Sequence, residues 1–299
     1  MILESEKMKK DEFWPFAKWR WLEEANLCWF MGMVMLGACA PLVYDPDAVR
    51  VSVVLSLLSG FGVTLGYHRL LCHRGFKVPK LVEYFFAYCG AHALQRDPIV
   101  WVSTHKLHHK HADTQMDPNA PTQGVWFSYL GWFLYNDYVV TKCGELSNVS
   151  ELKAQGFYQF LHDTYYWHPT ALATLLYLYG GFPYLAWGMG MRITVSHLTT
   201  YIQNSVNHSW GKRIWNTPDT STNSWWVSML CLGEGWHNNH HAFPKSARHG
   251  LEWWQLDLTW ELIKFLKVVR LVTDIKEPSV IDKTRMAAML GSNQKIIKK

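Results

Sequence analysis

The stretch NLCWFMGMVMLGACAPLVY, from Asn26 to Tyr44, contains no charged side chain, and neither does VSVVLSLLSGFGVTLGY, from Val51 to Tyr67. Each comes close to the roughly 20 apolar residues that a helix needs to cross a bilayer. The short link DPDAVR joins them, whereas lysines and arginines cluster on both outer flanks. Because positive residues favour the cytosolic side, this pattern predicts a helical hairpin over residues 25–67 with both ends in the cytosol.

A second hydrophobic hairpin is predicted further along, from about Thr170 to Gly188 and then from Ile193 to about Asn207. Its second arm carries polar side chains such as His197, and polar groups inside a span usually face a protein interior or a functional cavity. The segment from Leu81 to Leu94 is too short to cross and contains Glu83, so we expect it at the membrane interface. The fold class predicted is therefore all-α, with four spans in two hairpins.

The spans divide one membrane domain of 299 residues into water-facing and lipid-facing parts. Aromatic residues make up 15% of the chain while its mean hydropathy is −0.10, which suits such a mixture. Six scattered cysteines indicate neither a zinc ribbon nor a disulfide framework, and a net charge of +5 is too weak and dispersed to indicate nucleic acid. The predicted order is a cytosolic N-terminal segment (1–24), the first hairpin (25–67), a cytosolic segment (68–168), the second hairpin (169–207), a cytosolic segment (208–275) and a basic flexible tail (276–299).

Histidines gather in three short stretches, HRLLCH, HKLHH and HNNHH, all within the two long cytosolic segments. In the second and third stretches the spacing is i, i+3, i+4, which places three imidazoles on one face of a helix. The first stretch separates its histidines by five positions, so both can face one point only if the helix bulges or ends between them. The histidines are His68 and His73, then His105, His108 and His109, then His237, His240 and His241.

So many imidazoles indicate two metal ions, because one ion takes about four to six ligands. A zinc hydrolase would carry a catalytic carboxylate beside its ligands, as in HExxH, which the sequence lacks. A haem protein with two histidine ligands would place them inside facing spans, where only His197 lies. Redox-active iron next to a membrane points instead to dioxygen chemistry on a lipid.

HRLLCHRGF, WVSTHKLHHKHADTQMDP and GEGWHNNHHAFP resemble the three histidine boxes of the membrane fatty acyl desaturases, in particular the delta-9 group of stearoyl-CoA-type enzymes and their plant acyl-lipid relatives. The likeness covers roughly residues 50–275. It implies two iron ions, dioxygen and two electrons that together place a cis double bond in a long-chain saturated acyl chain. A fatty acid hydroxylase of the same superfamily and a non-enzymatic membrane protein that binds or transports metal are the alternatives.

The resemblance also implies which side chains hold the irons. NSVNH supplies His208 as a further ligand, and Asn204, one helical turn earlier, would hold an iron through a water molecule. Trp101 is expected to line the acyl tunnel, with a place in the aromatic belt as the alternative. By position, one iron would be held by His68, His73, His105, His109 and His241, and the other by His108, His208, His237 and His240.

Several other residues carry weaker expectations. Three carboxylates are candidates for orienting ligand imidazoles, with helix caps or turns as the alternative. Four tryptophans are expected in the aromatic belt or in the core of the cytosolic cap. The remaining histidines outside the spans are expected to be structural or superficial. The carboxylates are Asp97, Asp113 and Asp117, the tryptophans are Trp225, Trp226, Trp253 and Trp254, and the histidines are His92, His111, His162, His168 and His249.

The acyl carrier and the electron donor are less well defined. Animal acyl-CoA enzymes of the group carry an Arg-Asp pair before the second box, where this chain has Ser103 and Thr104, so the substrate is either a long-chain acyl-CoA or an acyl-lipid of the membrane. The chain has no haem-binding or nucleotide-binding segment, so the resemblance implies cytochrome b5 with its NADH reductase, or ferredoxin in a plastid. An acidic, serine-poor N-terminus favours the endoplasmic reticulum membrane, with both termini cytosolic, over the chloroplast.

Overall fold

A computed structural model describes residues 21–134, 139, 141–144 and 146–287, and within these ranges the fold is helical, with isolated β-bridges but no strand. This agrees with the all-α prediction. The predicted cytosolic segment 1–24 and flexible tail 276–299 lie partly outside the described residues, since residues 1–20 and 288–299 are not among them.

The α-helices are α1 (Trp21–Cys39), α2 (Pro46–Phe61), α3 (Lys80–Ala91), α4 (Pro98–His111), α5 (Trp132–Leu134), α6 (Ser150–Lys153), α7 (Gly156–Asp163), α8 (Trp167–Leu185), α9 (Arg192–Val206), α10 (Trp225–Leu230), α11 (His237–Ala242) and α12 (Leu258–Val268). Wider π-helical turns continue α2 at Gly62–Cys72, precede α5 at Phe127–Gly131 and lead into α9 at Ala186–Met191. Short 3-10 turns occupy Ala40–Val43, Pro121–Gln123 and Ser147–Val149.

Two candidate spans occur where the first hairpin is predicted. Asn26–Val43 and Pro46–Cys72 are both long and apolar enough to cross a membrane. Between them Asp45 caps α2, because its side chain accepts hydrogen bonds from the backbone N–H groups of Asp47 (2.8 Å) and Ala48 (2.9 Å). No described helix of the second hairpin meets the same criterion of length and hydropathy, so the four spans stay a prediction.

The prediction that the second hairpin turns just after Gly188 is wrong. That residue lies inside the π-helical turn Ala186–Met191, and the chain reverses earlier, at Gly180 (φ −143°) and Gly181 (φ +69°). A Cβ on Gly188 would lie 2.8 Å from Leu176 Cδ1, whereas 12 residues of uninterrupted helix would separate these positions by about 18 Å. The positive φ explains the reversal, since glycine adopts it without steric cost.

Two pairs of glycines allow neighbouring helices to approach closely. A Cβ on Gly190 would lie 2.5 Å from the backbone nitrogen of Gly37, and a Cβ on Gly62 would lie 2.1 Å from the backbone nitrogen of Gly90. The second contact brings α3 against the π-helical end of α2. The first histidine box therefore begins on a segment that is held firmly against its neighbour.

We expect Gly62→Ala to destabilise the protein by about 1–3 kcal/mol or more, because the new methyl group would collide with backbone rather than with a movable side chain. The measurement is the thermal unfolding midpoint of the purified protein in detergent. Gly32→Ala on α1 is the matched control, since nothing lies within 4 Å of its added Cβ. Equal midpoints for the two variants would contradict the close approach.

A hydrophobic cluster joins the first two histidine boxes. It is built on buried side chains from the π-helical end of α2, from α3 and from α4, and Trp101 packs against it. A second cluster packs α12 against the same π-helical segment. The first cluster includes Val63, Tyr67, Ala87, Ile99 and Val102, and the second includes Leu65, Phe76, Phe86, Ile263 and Leu266.

Candidate metal centre

The first histidine box lies on the π-helical turn and its end. The backbone N–H of His73 donates to the carbonyl of His68 at 3.1 Å, an i→i+5 bond that places residues five apart nearly above one another. Their ring centroids are 4.8 Å apart. The prediction that the helix bulges or ends between the two histidines is confirmed, since the backbone from Gly62 to Cys72 is π-helical and this includes the whole interval between them.

The second box lies on α4, which starts at a well-formed cap. Asp97 accepts hydrogen bonds from the backbone N–H groups of Ile99 (2.9 Å) and Val100 (3.3 Å), and Pro98 occupies the first turn. The helix-cap alternative therefore describes Asp97, which also lies 3.1 Å from Nδ1 of His162.

The third box lies on α11, a short helix held by the two asparagines between its histidines. Asn238 Oδ1 accepts from the backbone N–H groups of Ile214 (2.8 Å) and Trp215 (2.7 Å). Asn239 is buried and donates to the carbonyl of His249 at 2.9 Å. These amides fix the position of a helix that is too short to be stable alone.

Nitrogens of nine histidines converge on two points. Within each group, one ring nitrogen of every histidine lies within 4.8 Å of the others. Neighbouring Nε2 atoms are 2.9–3.1 Å apart. The five-histidine group is His68, His73, His105, His109 and His240, and the four-histidine group is His108, His208, His237 and His241.

The grouping corrects the predicted partition for two residues, because His240 belongs with the first box and His241 with His208. Helix geometry explains the exchange. Residues four apart differ by about 40° in direction, whereas residues three apart differ by about 60°. His237 and His241 therefore point to the same centre, and His240 points to the other. The second box follows the same rule, with His105 and His109 together and His108 apart.

The spacing within both groups matches that of ligands around a metal ion. Ligands about 2.1 Å from one ion and at right angles to each other are about 3.0 Å apart, whereas tetrahedral ligands at that distance are about 3.4 Å apart. The observed Nε2 separations of 2.9–3.1 Å fit the first arrangement. Two facing lone pairs at this distance repel each other, so the pairs need either a shared proton or a cation between the rings.

Carboxylates hold the Nδ1 atoms of several of these rings. An Nδ1–H group that donates to a carboxylate leaves the Nε2 lone pair free for a metal. Asp113 and Asp117 occupy the predicted positions, while Asp219 and Glu234 were not predicted. The pairs are His108–Asp117 at 3.0 Å, His208–Asp113 at 3.2 Å, His241–Asp219 at 2.9 Å and His68–Glu234 at 2.6 Å.

Burial favours the neutral form of several ligand rings, whereas at His108 the lowering of the pKa by burial is outweighed by Asp117, and the pKa is raised. Burial lowers the pKa of His105, His109, His237 and His240 well below the usual histidine value, and it lowers the pKa of His241 to about 4. Burial alone would raise the pKa of Asp113, but the hydrogen bond from His208 and donors of Thr220 lower it to about 2. Neutral imidazoles backed by ionised carboxylates are the form in which histidine binds a metal.

Glu234 connects the first and third boxes through a buried charge network. Its Oε2 lies 2.6 Å from Nδ1 of His68 and 3.2 Å from Nδ1 of His249. Arg69 donates to Glu234 and to Asp257, both at 2.9 Å, and all of these side chains are buried. His249, expected to be structural or superficial, is thus a structural member of this network.

A cavity of about 240 Å³ lies beside both histidine groups. His68 and His105 of the five-histidine group line it, as does His108 of the four-histidine group. Trp101 and Asn204 also line it, and the indole of Trp101 stacks on His105 with ring centroids 4.9 Å apart. Trp101, expected to line the acyl tunnel, and Asn204, expected to hold an iron through a water molecule, therefore line the same cavity.

The polar residues of α9 face the protein interior, as expected for polar groups in a span. Nε2 of His197 lies 3.0 Å from the carbonyl of Leu94, and Nδ1 lies 3.3 Å from the hydroxyl of Tyr201. The amide of Gln203 lies 3.1 Å from Nδ1 of His237. This last contact reaches a ring of the four-histidine group, and the sequence offered no signal for it.

We expect Asp219→Asn to weaken metal binding about 10–100-fold, because His241 loses the carboxylate that fixes its ring. Competition with a chelator, read as metal retained per protein, measures the change. Asp274→Asn is the control, since Asp274 is an exposed carboxylate paired with Lys77. Identical chelator curves for Asp219→Asn and the unaltered protein would contradict the role of Asp219.

Comparison with known proteins places this site in a family. The profile of the fatty acid desaturase family matches residues 48–266. A palmitoyl-monogalactosyldiacylglycerol delta-7 desaturase, chloroplastic, from Arabidopsis thaliana is 49% identical over 94% of this chain and 76% of its own length. An acyl-CoA C20 delta5-desaturase from Anemone leveillei is 47% identical (94% and 90%), and delta-9 acyl-lipid desaturase 1 from Arabidopsis thaliana is 47% identical (93% and 91%).

The matched range contains all three histidine boxes and the two groups that they form. Desaturases are oxidoreductases that act on fatty acyl chains. The relatives differ in the position of the double bond and in the acyl carrier that their names specify. With a family match over most of its length and relatives of nearly half-identical sequence, the chain belongs to the fatty acid desaturase family.

Proposed function

We propose that the chain is a di-iron desaturase that inserts a cis double bond, at the delta-9 position, into a long-chain saturated acyl chain. The observation that carries this proposal is the convergence of nine imidazoles into two groups beside one cavity. Each group would hold one iron ion, and Asn204 at the cavity wall would complete one of the sites through a water molecule. The five histidines of the first group exceed the four ligands of a structural zinc site, which supports iron over zinc.

When bound, the two irons would supply activation of dioxygen, an oxidant strong enough to attack unactivated methylene groups. In the overall reaction two C–H bonds break and one C=C bond forms. Dioxygen is reduced to two waters by two electrons from the acyl chain and two from a donor, with two protons taken from solvent. A side-chain acid or base alone could not remove hydrogen from these methylene groups.

The residues of the chain would select the methylene groups that react. Neighbouring methylenes are chemically alike, so only a fixed position of the chain in the cavity can distinguish them. Trp101 stacks against His105 and would form a rigid wall next to the ligands. Buried carboxylates at the Nδ1 atoms would keep the imidazoles in one orientation through the reaction.

The proposed topology has four spans, both termini in the cytosol and a single domain with the boundaries predicted above. Histidines from residues 68–109 and from residues 208–241 meet in the same groups, which requires these segments to lie on one side of the membrane. An even number of crossings between them satisfies this requirement. The reversal at Gly180 and Gly181 supports such a second hairpin.

We propose the endoplasmic reticulum membrane as the location and cytochrome b5, with its NADH reductase, as the electron donor.

The proposed function is tested by expression in a yeast strain that lacks its own desaturase. We expect new monounsaturated fatty acids, and mass spectrometry of their dimethyl disulfide adducts should place the double bond at carbon 9. A product with the bond at carbon 7 or 5 would overturn the delta-9 position only. Protein that is present and iron-loaded but forms no unsaturated product would overturn the function.

A further inference from the structure

The cavity beside the histidine groups reaches the molecular surface on one side. Among the residues that line it, those with the largest exposed fractions are Leu57 (44%), Val195 (45%) and Leu230 (52%). The lining residues from the histidine-bearing α4 and its following loop, such as Thr104 and Asn119, are buried or half-buried. The cavity is therefore closed towards α4, and its lining is exposed at these three apolar side chains.

The three exposed residues form the rim of an opening between two helices. Leu57 lies on α2, Val195 lies on α9, and Leu230 ends the short helix α10. The segment after Leu230 bridges the two helices, because the Sγ of Cys231 donates to the carbonyl of Thr199 at 3.3 Å and a Cβ on Gly60 would lie 2.9 Å from Leu232. The opening is thus bordered by α2 on one side, by α9 on the other, and by the segment after Leu230 at one end.

The opening lies beside one of the candidate membrane spans. Leu57 lies near the middle of the candidate span Pro46–Cys72, about 17 Å along the helix from Pro46. The outward side chains next to the rim are also apolar and exposed, with Leu58 at 40% and Leu198 at 44%. An apolar opening on an apolar surface at this depth is bordered by acyl chains rather than by water.

The charged residues of the cavity lining do not suit the phosphates of a CoA ester. Among the described lining residues the arginines are Arg96 and Arg192, and both are engaged by protein acceptors. Arg96 donates to the carbonyl of Phe133 at 2.8 Å, and Arg192 donates to the carbonyls of Gly188 at 2.6 Å and His92 at 2.7 Å. Recognition of several phosphates requires free Arg or Lys donors at a water-facing opening.

We propose that the acyl substrate enters this cavity sideways from the bilayer, through the opening between α2 and α9, while esterified to a membrane glycerolipid. We name the opening rimmed by Leu57, Val195 and Leu230 the lateral portal. This inference rests on the proposed function and decides between the two acyl carriers. A glycerolipid can slide one acyl chain through the lateral portal while its headgroup stays in the interface.

The carrier is tested with purified, iron-loaded protein in vesicles, supplied with dioxygen and a reduced electron donor. One set of vesicles contains distearoyl-phosphatidylcholine, and the other contains a non-substrate ether lipid together with stearoyl-CoA. We expect unsaturated phosphatidylcholine in the first set and little unsaturated acyl-CoA in the second. Product from stearoyl-CoA but not from phosphatidylcholine would overturn the lateral portal while leaving the desaturase function intact, and product from neither would overturn the function.

The route is tested by narrowing the lateral portal. We expect Leu57→Trp and Val195→Trp each to slow desaturation of phosphatidylcholine at least about tenfold, because a bulky ring at the rim misplaces or excludes the chain. Leu58→Trp and Leu198→Trp are matched controls on the same helices, exposed to a similar degree but outside the cavity lining. They should retain nearly full activity.

Iron content and the unfolding midpoint show whether each variant is folded and loaded. Rim variants that are folded and iron-loaded but as active as the controls would overturn the proposal. Should both rim variants fail to fold, the substrate comparison with the unaltered protein decides the question alone.

Discussion

Replacing His240 by alanine is expected to reduce desaturation more than about 100-fold, beyond the 10–100-fold typical for the loss of a residue that only orients a ligand. Its Nε2 lies 3.0 Å from that of His68 and 2.9 Å from that of His109, so it joins the first and second boxes within the five-histidine group. Without it, the third box contributes no ligand to this group.

The measurements are unsaturated product in the desaturase-deficient yeast and iron per purified protein. Product should fall to background, and iron should fall from two ions towards one because the four-histidine group is intact. His111→Ala is the matched control, since this histidine ends α4 but belongs to neither group. Full activity of His240→Ala with two irons bound would show that His240 is not a required ligand in the five-histidine group.

The first hairpin and the histidine faces could be predicted from sequence because their signals are local. A charge-free run of the right length specifies a span, and the i, i+3, i+4 spacing specifies a shared helix face. The separation of His68 and His73 by five positions was informative for the same reason, since only a distorted helix can bring both to one point. The backbone supplies that distortion as a π-helical turn.

The partition of the third box was mispredicted although its signal is also local. On a helix, side chains four residues apart point about 40° from each other, and side chains three residues apart point about 60° from each other. This places His241 in the same group as His237 and places His240 in the other group. The second box follows the same rule. The turn of the second hairpin was misplaced for a different reason. Glycines occur both at Gly180–Gly181 and at Gly188 and Gly190, and the sequence does not show that the second pair packs in a helical turn against α1 and α2.

Residues that orient the ligands were the hardest to find from sequence. Glu234 and Asp219 carry no spacing relationship to the rings that they hold, and Arg69 reaches Glu234 across 165 positions of chain. Their one sequence signal is weak, namely that Arg69 and Glu234 lie inside or next to a histidine box. A buried charge of either sign needs a partner, so their pairing became evident only once burial was known.

Arg69→Met is expected to destabilise the protein by about 3–5 kcal/mol, the usual cost of removing one partner from a buried ion pair. Arg69 is fully buried and its guanidinium lies 2.9 Å from both Glu234 and Asp257. Methionine fills much of the same volume, so the lost energy comes from two buried carboxylates without a counter-charge rather than from a cavity. The free energy of unfolding in detergent, from a denaturant titration, measures the loss.

Arg74→Met is the matched control, because Arg74 pairs with Glu151 at 3.0 Å but its side chain is 64% exposed. Exposed pairs contribute about 0–1 kcal/mol, so this variant should unfold close to the unaltered protein although its ion pair is as short. The difference in stability between Arg69→Met and Arg74→Met therefore measures the effect of burying the ion pair. Since Glu234 also holds His68, Arg69→Met should lose iron from the five-histidine group before it unfolds. Equal stability of the two variants would contradict a buried ion pair between Arg69 and the carboxylates of Glu234 and Asp257.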